Sequence, residues 1–207
     1  MKIETVVVGP VGTNCYIVKN KEKKECFLVD PGAWRTDLKE RIEDGGYTPQ
    51  AVLLTHGHFD HIMGLNEVKR EYGVPVYALE KELPMLADAG LNSSGSLLRR
   101  PFTFEDAQGL RDGQEIEIAG LKIRVLATPG HTSGGCCYYL PEEKVLFSGD
   151  TLFHASVGRT DLPTGSMSEL VRSVKETLFA LPDETKVYPG HMDETSIGYE
   201  KKYNPFL

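Results

Sequence analysis

Thr55-His56-Gly57-His58-Phe59-Asp60-His61 sets three imidazoles and one carboxylate within the six positions from His56 to His61, in a chain of 207 residues that has only six histidines. Uniform scatter would put about 0.2 histidines in such a window, so the cluster is not an accident of composition. Zinc, iron and manganese all accept this mixture of nitrogen and oxygen donors. Residues two apart on an extended segment point the same way. His56 and His58 can therefore address one ion, while Asp60 and His61, beyond the bend into a helix, aim elsewhere. Gly57 lets the backbone approach closely because no side chain intrudes.

Working outward, the apolar run 51–55 reads as a buried strand, and apolar residues at Ile62, Leu65, Val68 and Tyr72 predict a helix over 60–72. The cluster thus lies at a strand-to-helix junction. Further donors follow other strand-like runs. Thr128-Pro129-Gly130-His131 succeeds the run 121–127, Tyr188-Pro189-Gly190-His191 succeeds 186–188, and Phe147-Ser148-Gly149-Asp150 places a carboxylate just beyond 144–147. Donors delivered by strand exits converge on one edge of a sheet, which is how a rigid scaffold builds a site.

Strands over 3–8, 14–18 and 26–29 suggest an antiparallel meander, followed by a helix over 36–44. A strand over 74–79 and a short helix over 80–87 lead into the Gly-, Ser- and Asn-rich segment 89–101, which is expected to be a mobile loop. Hairpins 115–119/121–127 and 136–140/144–147 form a second meander, and helices are expected over 168–181 and 194–202. No linker or repeat divides the chain, so one domain over 1–207 is expected, with sheets face to face and helices outside.

Composition narrows the function. Lys and Arg number 23 against 30 for Asp and Glu, a formal charge of −7, which argues against nucleic acid as the main partner. No apolar run approaches the roughly 20 residues of a membrane helix, and the N-terminus lacks the form of a signal peptide, so a cytoplasmic protein without membrane partners is expected. Cys15, Cys26, Cys136 and Cys137 contain no Cys-x-x-Cys pair and fit neither a disulfide framework nor a zinc finger. Gly-x-Ser-x-Gly, Ser-x-x-Lys and Gly-x-Gly are all absent, which removes the common serine-nucleophile and dinucleotide motifs.

His56-x-His58-x-Asp60-His61, together with His131, Asp150 and His191, resembles the metallo-β-lactamase superfamily residue by residue. From Val11-Gly12-Thr13-Asn14 to Asn204-Pro205-Phe206-Leu207 the chain is similar to the short glyoxalase II-like hydrolases of that superfamily. The resemblance implies an α/β fold, the four-layer αββα sandwich of the metallo-β-lactamase type. It also implies two divalent metal ions, zinc in the first place and iron or manganese as alternatives. His56, His58 and His131 would hold one, Asp60, His61 and His191 the other, and Asp150 would bridge them. Asp60 enters as a catalytic residue as well as a ligand. The implied reaction is hydrolysis of a small-molecule acyl thioester, such as the glutathione thioester S-lactoylglutathione, by a hydroxide between the ions.

Gly158-Arg159-Thr160-Asp161 also resembles persulfide dioxygenases of the same superfamily, in which a single iron would take His56, His131 and Asp150. True β-lactamases commonly carry cysteine at the position of Asp150, so the carboxylate disfavours antibiotic hydrolysis. Classical glyoxalase II has an added C-terminal helical region that helps hold glutathione, and 207 residues leave no room for it. Arg159 offers a planar fork for a substrate carboxylate or for a structural ion pair. Asp30, in Asp30-Pro31-Gly32, can hold a ligand histidine from behind or serve the turn. Arg99, Arg100 and His154 receive no role.

Overall fold

In the computed structural model, which describes residues 1–207, apolar alternation decides the direction in which each strand faces. One six-stranded sheet has the order β1 (Lys2–Val8), β2 (Thr13–Asn20), β3 (Glu25–Val29), β4 (Thr48–Leu53), β5 (Val76–Leu79), β6 (Gln108–Leu110). Six more strands, β7 (Glu115–Ile118), β8 (Leu121–Ala127), β9 (Cys136–Leu140), β10 (Val145–Gly149), β13 (Lys186–Pro189) and β14 (Thr195–Ser196), make a second sheet, ordered β14-β13-β10-β9-β8-β7. Between β10 and β13 lies a small hairpin, β11 (Leu152–Phe153) and β12 (Ser156–Val157).

Tyr16, Val18, Phe27 and Val29 of the first sheet meet Tyr138, Leu140, Val145 and Phe147 of the second in one apolar layer. Their neighbours in sequence, Cys15, Ile17, Cys26 and Leu28, face outward onto Leu38 and Ile42 of α1 (Thr36–Glu43), Ile62 of α2 (Phe59–Ile62) and Leu65 and Val68 of α3 (Leu65–Tyr72). On the opposite side, Cys137, Tyr139 and Leu146 face Leu170 of α6 (Met167–Arg172), Val174 and Leu178 of the π turn that continues it, and Ile197 of α7 (Ile197–Tyr203). Three apolar layers between helices, two sheets and helices make the αββα sandwich that the resemblance implied. No helix is long and apolar enough to cross a membrane.

Several expected elements differ in detail. The helix expected over 60–72 is two helices, α2 and α3, broken at Gly64. Its N–H donates to the Pro31 carbonyl at 2.9 Å, and a Cβ there would lie 2.5 Å from that oxygen. Segment 89–101, expected as a mobile loop, is tied down and carries a short helix, α5 (Ser94–Leu97). The Asn92 carbonyl accepts the Phe59 N–H at 3.0 Å, while the Asn92 amide and Ser94 hydroxyl both donate to the Phe102 carbonyl. The last helix starts later than expected because Thr195 and Ser196 pair with β13 first, and Ser196 then caps α7 by accepting the Tyr199 N–H. The helix expected over 168–181 is α-helical only through Arg172 and continues as the π turn Ser173–Leu178.

Parallel pairs β3/β4 and β10/β13 bring their C-terminal ends to the same end of the sandwich. Backbone bonds join the two sheets there: Asn14 N–H to Gly190 O at 2.7 Å and Cys136 N–H to Thr55 O at 2.9 Å. At this end the turn after β3 presses on α2, and a Cβ on Gly32 would sit 1.6 Å from the Asp60 carbonyl oxygen. Gly32→Ala is expected to cost at least about 1–3 kcal/mol, the range of an overpacked interior. Urea unfolding measures it, and an unchanged midpoint would show that the turn yields without loss.

Candidate metal centre

Asp30 directly follows β3 in the left-handed region, at φ +50°, and is almost fully buried. That conformation turns its carboxylate toward the segment leaving β4, where it accepts the Thr55 N–H at 2.8 Å and the Thr55 hydroxyl at 2.6 Å. The same carboxylate takes a hydrogen bond from His61 Nδ1 at 3.0 Å. The sequence reading of Asp30 as a group behind a ligand histidine therefore has a definite partner. His131 Nδ1 donates to the Arg159 carbonyl at 2.8 Å, and His191 Nδ1 donates to the Gly12 carbonyl at 3.3 Å. Each of these bonds fixes a ring and turns its Nε2 inward.

Those inward atoms form groups. His56, His58 and His131 bring one donor atom each within 4.8 Å of one another, as do Asp60, His61 and His191, and as do His56, His61 and Asp150. Asp150 lies between the first two groups: its Oδ2 is 3.5 Å from His131 Nε2 and 3.6 Å from His191 Nε2, and its Oδ1 is 3.5 Å from His61 Nε2. All seven donors singled out in the sequence converge; His56 and His58 share one group and Asp60 and His61 another, while His56 also lies against His61, with ring centroids 4.0 Å apart.

A divalent cation suits this arrangement on two counts. His58 Nε2, His61 Nε2 and Asp150 Oδ1 are buried without any hydrogen-bond partner, and buried polar atoms are rarely left so. His131 Nε2 lies 2.9 Å from His58 Nδ1 and 3.2 Å from His56 Nε2, so nitrogen lone pairs converge on a space that calls for positive charge. Burial first, then the neighbouring histidines, holds His58 down at about 3 and His56 well below its ordinary value, so both rings offer free lone pairs. For His61, burial pulls downward, but Asp60, Asp150 and Asp30 outweigh it and raise the ring to about 10. Burial pushes Asp60 up, yet His61, His191 and the Thr13 hydroxyl hold it far below the usual carboxylate range. The His56/His58 side is thus a set of uncharged rings, and the other side pairs raised imidazoles with carboxylates.

The sequence pattern of the metallo-beta-lactamase superfamily matches residues 8–191. The chain belongs to the metallo-beta-lactamase superfamily. Among the superfamily's members, a Bacillus subtilis protein named "Probable metallo-hydrolase YqgX" is 40% identical, covering 100% of this chain and 98% of that one. Hydroxyacylglutathione hydrolase GloC of Haemophilus influenzae is 34% identical over 100% of this chain and 98% of its own. Among solved structures, the BLEG-1 B3 metallo-beta-lactamase superposes with a TM-score of 0.93 at 39% identity, covering 100% of this chain and 99% of that one. TTHA1623 in a di-iron-bound form gives 0.87 at 37% identity, covering 99% and 100%. ETHE1 from Myxococcus xanthus gives 0.82 at 30% identity, covering 99% and 84%. These likenesses make the chain a metal-binding hydrolase-family protein with a His/Asp cluster of the superfamily's kind.

Sequence reasoning missed Thr13, whose hydroxyl donates to Asp60 Oδ2 at 2.8 Å, and Glu82, which accepts the Gly57 N–H at 2.8 Å. A hydroxyl in a strand carries no signature. Glu82, however, is an acid three residues after buried Leu79 and four before buried Leu86, a polar residue on an apolar face that could have been marked. Arg159 pairs with Asp161 through two bonds of 2.7 Å at the rim, the structural ion pair left open above, while its carbonyl holds His131. His154 is exposed and stacks near Tyr199 rather than joining the cluster. Asp150→Ala is expected to remove metal from both groups, and His191→Ala mainly from one. Metal content per chain measures this, and equal losses in the two variants would count against a bridging Asp150.

Proposed function

We propose that the protein is a dinuclear metal-dependent hydrolase of acyl thioesters, with S-lactoylglutathione as the representative substrate. The observation that carries this reading is the complete double donor set, with Asp150 between its halves, opening into a cleft of about 520 Å³. The likeness to GloC supports the thioester, and the likeness to the di-iron form of TTHA1623 supports two ions and iron among the metals. When bound, two divalent cations supply Lewis acidity and lower the pKa of water from about 15.7 toward about 7, so a nucleophile exists at neutral pH. His56, His58 and His131 would hold one ion and Asp60, His61 and His191 the other. Zinc, iron and manganese all suit these donors.

The chain's own residues do the rest. Thr13 and His191 fix the Asp60 carboxylate, so Asp60 stays ionised and oriented toward the reacting space, which is its catalytic part. Asp30 and the Arg159 carbonyl hold His61 and His131 in one ring orientation. Phe59, Phe153 and Val157 line the floor of the cleft, and Val11, Leu97 and Met192 stand at it although 52%, 64% and 55% exposed. Apolar side chains left in water around a polar centre suit the hydrocarbon parts of an acyl thioester. Arg159 is the one Lys or Arg side chain of the cleft, and we assign it the substrate's carboxylate, in exchange with Asp161. The four free, buried cysteines fit a reducing compartment, and we infer the cytoplasm. An acidic surface and a small cleft fit a small-molecule partner and neither nucleic acid nor membrane.

One observation favours a second reading, a mononuclear iron persulfide dioxygenase. His56, His131 and Asp150 lie together, the Gly158-Arg159-Thr160-Asp161 turn packs on them, and ETHE1 is a structural neighbour. Hydrolysis of S-lactoylglutathione by the zinc-, iron- or manganese-loaded protein is the expected result, and no turnover with any of them would overturn the hydrolase reading. Oxygen uptake with glutathione persulfide by the iron form would establish the alternative, and a β-lactam belongs in the same panel because of BLEG-1. Arg159→Ala is expected to raise KM about tenfold for the glutathione thioester and to leave a neutral thioester unchanged. Equal effects on both substrates would remove the carboxylate contact.

A further inference from the structure

Glu82 is a carboxylate only 1% exposed, on the short turn Glu80–Glu82 between β5 and α4 (Leu83–Ala87). Two chain segments meet on it. Its Oε1 accepts the N–H of Gly57, the residue between His56 and His58. Its Oε2 faces the loop after His131, where the Thr132 hydroxyl and the Gly134 N–H are turned toward the same carboxylate. A Cβ on Gly134 would lie 2.6 Å from Glu82 Oε2 and 2.4 Å from the Glu82 backbone nitrogen, so this loop rests directly on the turn.

The arrangement is costly as packing alone. Neither Glu82 Oε2 nor Thr132 Oγ1 closes a hydrogen bond, although both are buried. An unsatisfied buried polar group is a penalty that an apolar side chain would avoid. What the carboxylate supplies is a link between segment 56–58 and loop 131–134, the two segments that furnish His56, His58 and His131.

The other donor group has its own supports. Asp30 holds His61, Thr13 holds Asp60, and the Gly12 carbonyl holds His191. The His58 side chain, by contrast, meets only His131, a member of its own group, and the His58 carbonyl takes the His61 N–H at 3.0 Å, so no support from outside the cluster reaches His58 itself. The Gly57 N–H is the point at which Glu82 supports the segment.

We propose that Glu82 is a positioning residue for the metal held by His56, His58 and His131, and not for the metal held by Asp60, His61 and His191. The proposal rests on the metal reading of the site and is independent of the substrate. Glu82→Gln keeps the size of the side chain and one acceptor oxygen, but sets an amide NH2 against backbone and hydroxyl donors.

The test is chelator competition on the zinc-loaded protein, counting zinc ions released per chain. His131→Ala and His191→Ala identify which ion is which. Glu200→Gln is the control, because Glu200 is equally buried but holds Ala155, Thr195 and Asn204 instead of either ligand segment. In Glu82→Gln the ion that His131→Ala loses should be released at least about tenfold more readily, within the 10- to 100-fold range for groups that orient ligands. The second ion should be unchanged, and Glu200→Gln should match the wild type. Glu82→Ala should show a larger loss, and if it fails to fold, Glu82→Gln decides. Unchanged release in Glu82→Gln, equal loosening of both ions, or the same loosening in Glu200→Gln would overturn the proposal. A wild-type chain that holds no zinc would sink it together with the metal reading, whereas normal zinc release without thioester hydrolysis would touch only the substrate.

Discussion

Three hydrogen bonds to the Asp30 carboxylate decide where the functional end of this molecule lies. The Thr55 N–H, the Thr55 hydroxyl and His61 Nδ1 all bond to it, so one side chain directly after β3 sets both ends of the segment 55–61. The 3.0 Å contact to His61 Nδ1 holds that ring in one orientation. The left-handed backbone at Asp30 is the strain that makes this possible, and such strain persists only where its surroundings determine it. Gly32 and Gly64 permit the turn that follows to lie against α2 at distances no side chain would allow.

From that anchor the division of labour between the sheets becomes clear. The first sheet delivers four donors from one continuous segment, His56 through His61. The second delivers three from separate strand exits, His131, Asp150 and His191. Bonds between the sheets at Asn14–Gly190 and Cys136–Thr55 hold these contributions in register. Tyr138 donates its hydroxyl to the Leu54 carbonyl across the same interface at 2.8 Å. The rigidity a metal site needs is therefore built from backbone pairing rather than from the ligands themselves.

Much of this was legible in the residues. β2, β3 and β4 are buried on both faces over 15–18, 26–29 and 51–53, so those stretches read as unbroken apolar runs, and β8 alternates because one face carries Lys122 and Arg124. The donors were legible because three of the six histidines crowd into 56–61 and two of the others, His131 and His191, follow a strand by the same Pro-Gly step. What escaped notice depends on contacts between distant residues. The break at Gly64 is made by Pro31, and the closure of segment 89–101 by Phe59 and Phe102, neither of which local composition reveals. β6, β11, β12 and β14 are two or three residues long, too short for any periodicity to register. Thr13 acts through a single hydrogen bond to another element, which an ordinary hydroxyl in sequence does not announce, whereas Glu82 left only the faint sign of an acid on an apolar face.

The split origin of each donor group has a consequence for the order in which the chain acquires its properties. His56 and His58 come into being together as soon as β4 and its exit are formed, yet two imidazoles make a weak grip. His131 joins them only after the second sheet has docked, 73 residues further along from His58. The same holds for Asp60 and His61, which wait for His191. A complete donor set is therefore a property of the assembled sandwich and of no shorter stretch, and an ion held there would tie both halves of the chain together.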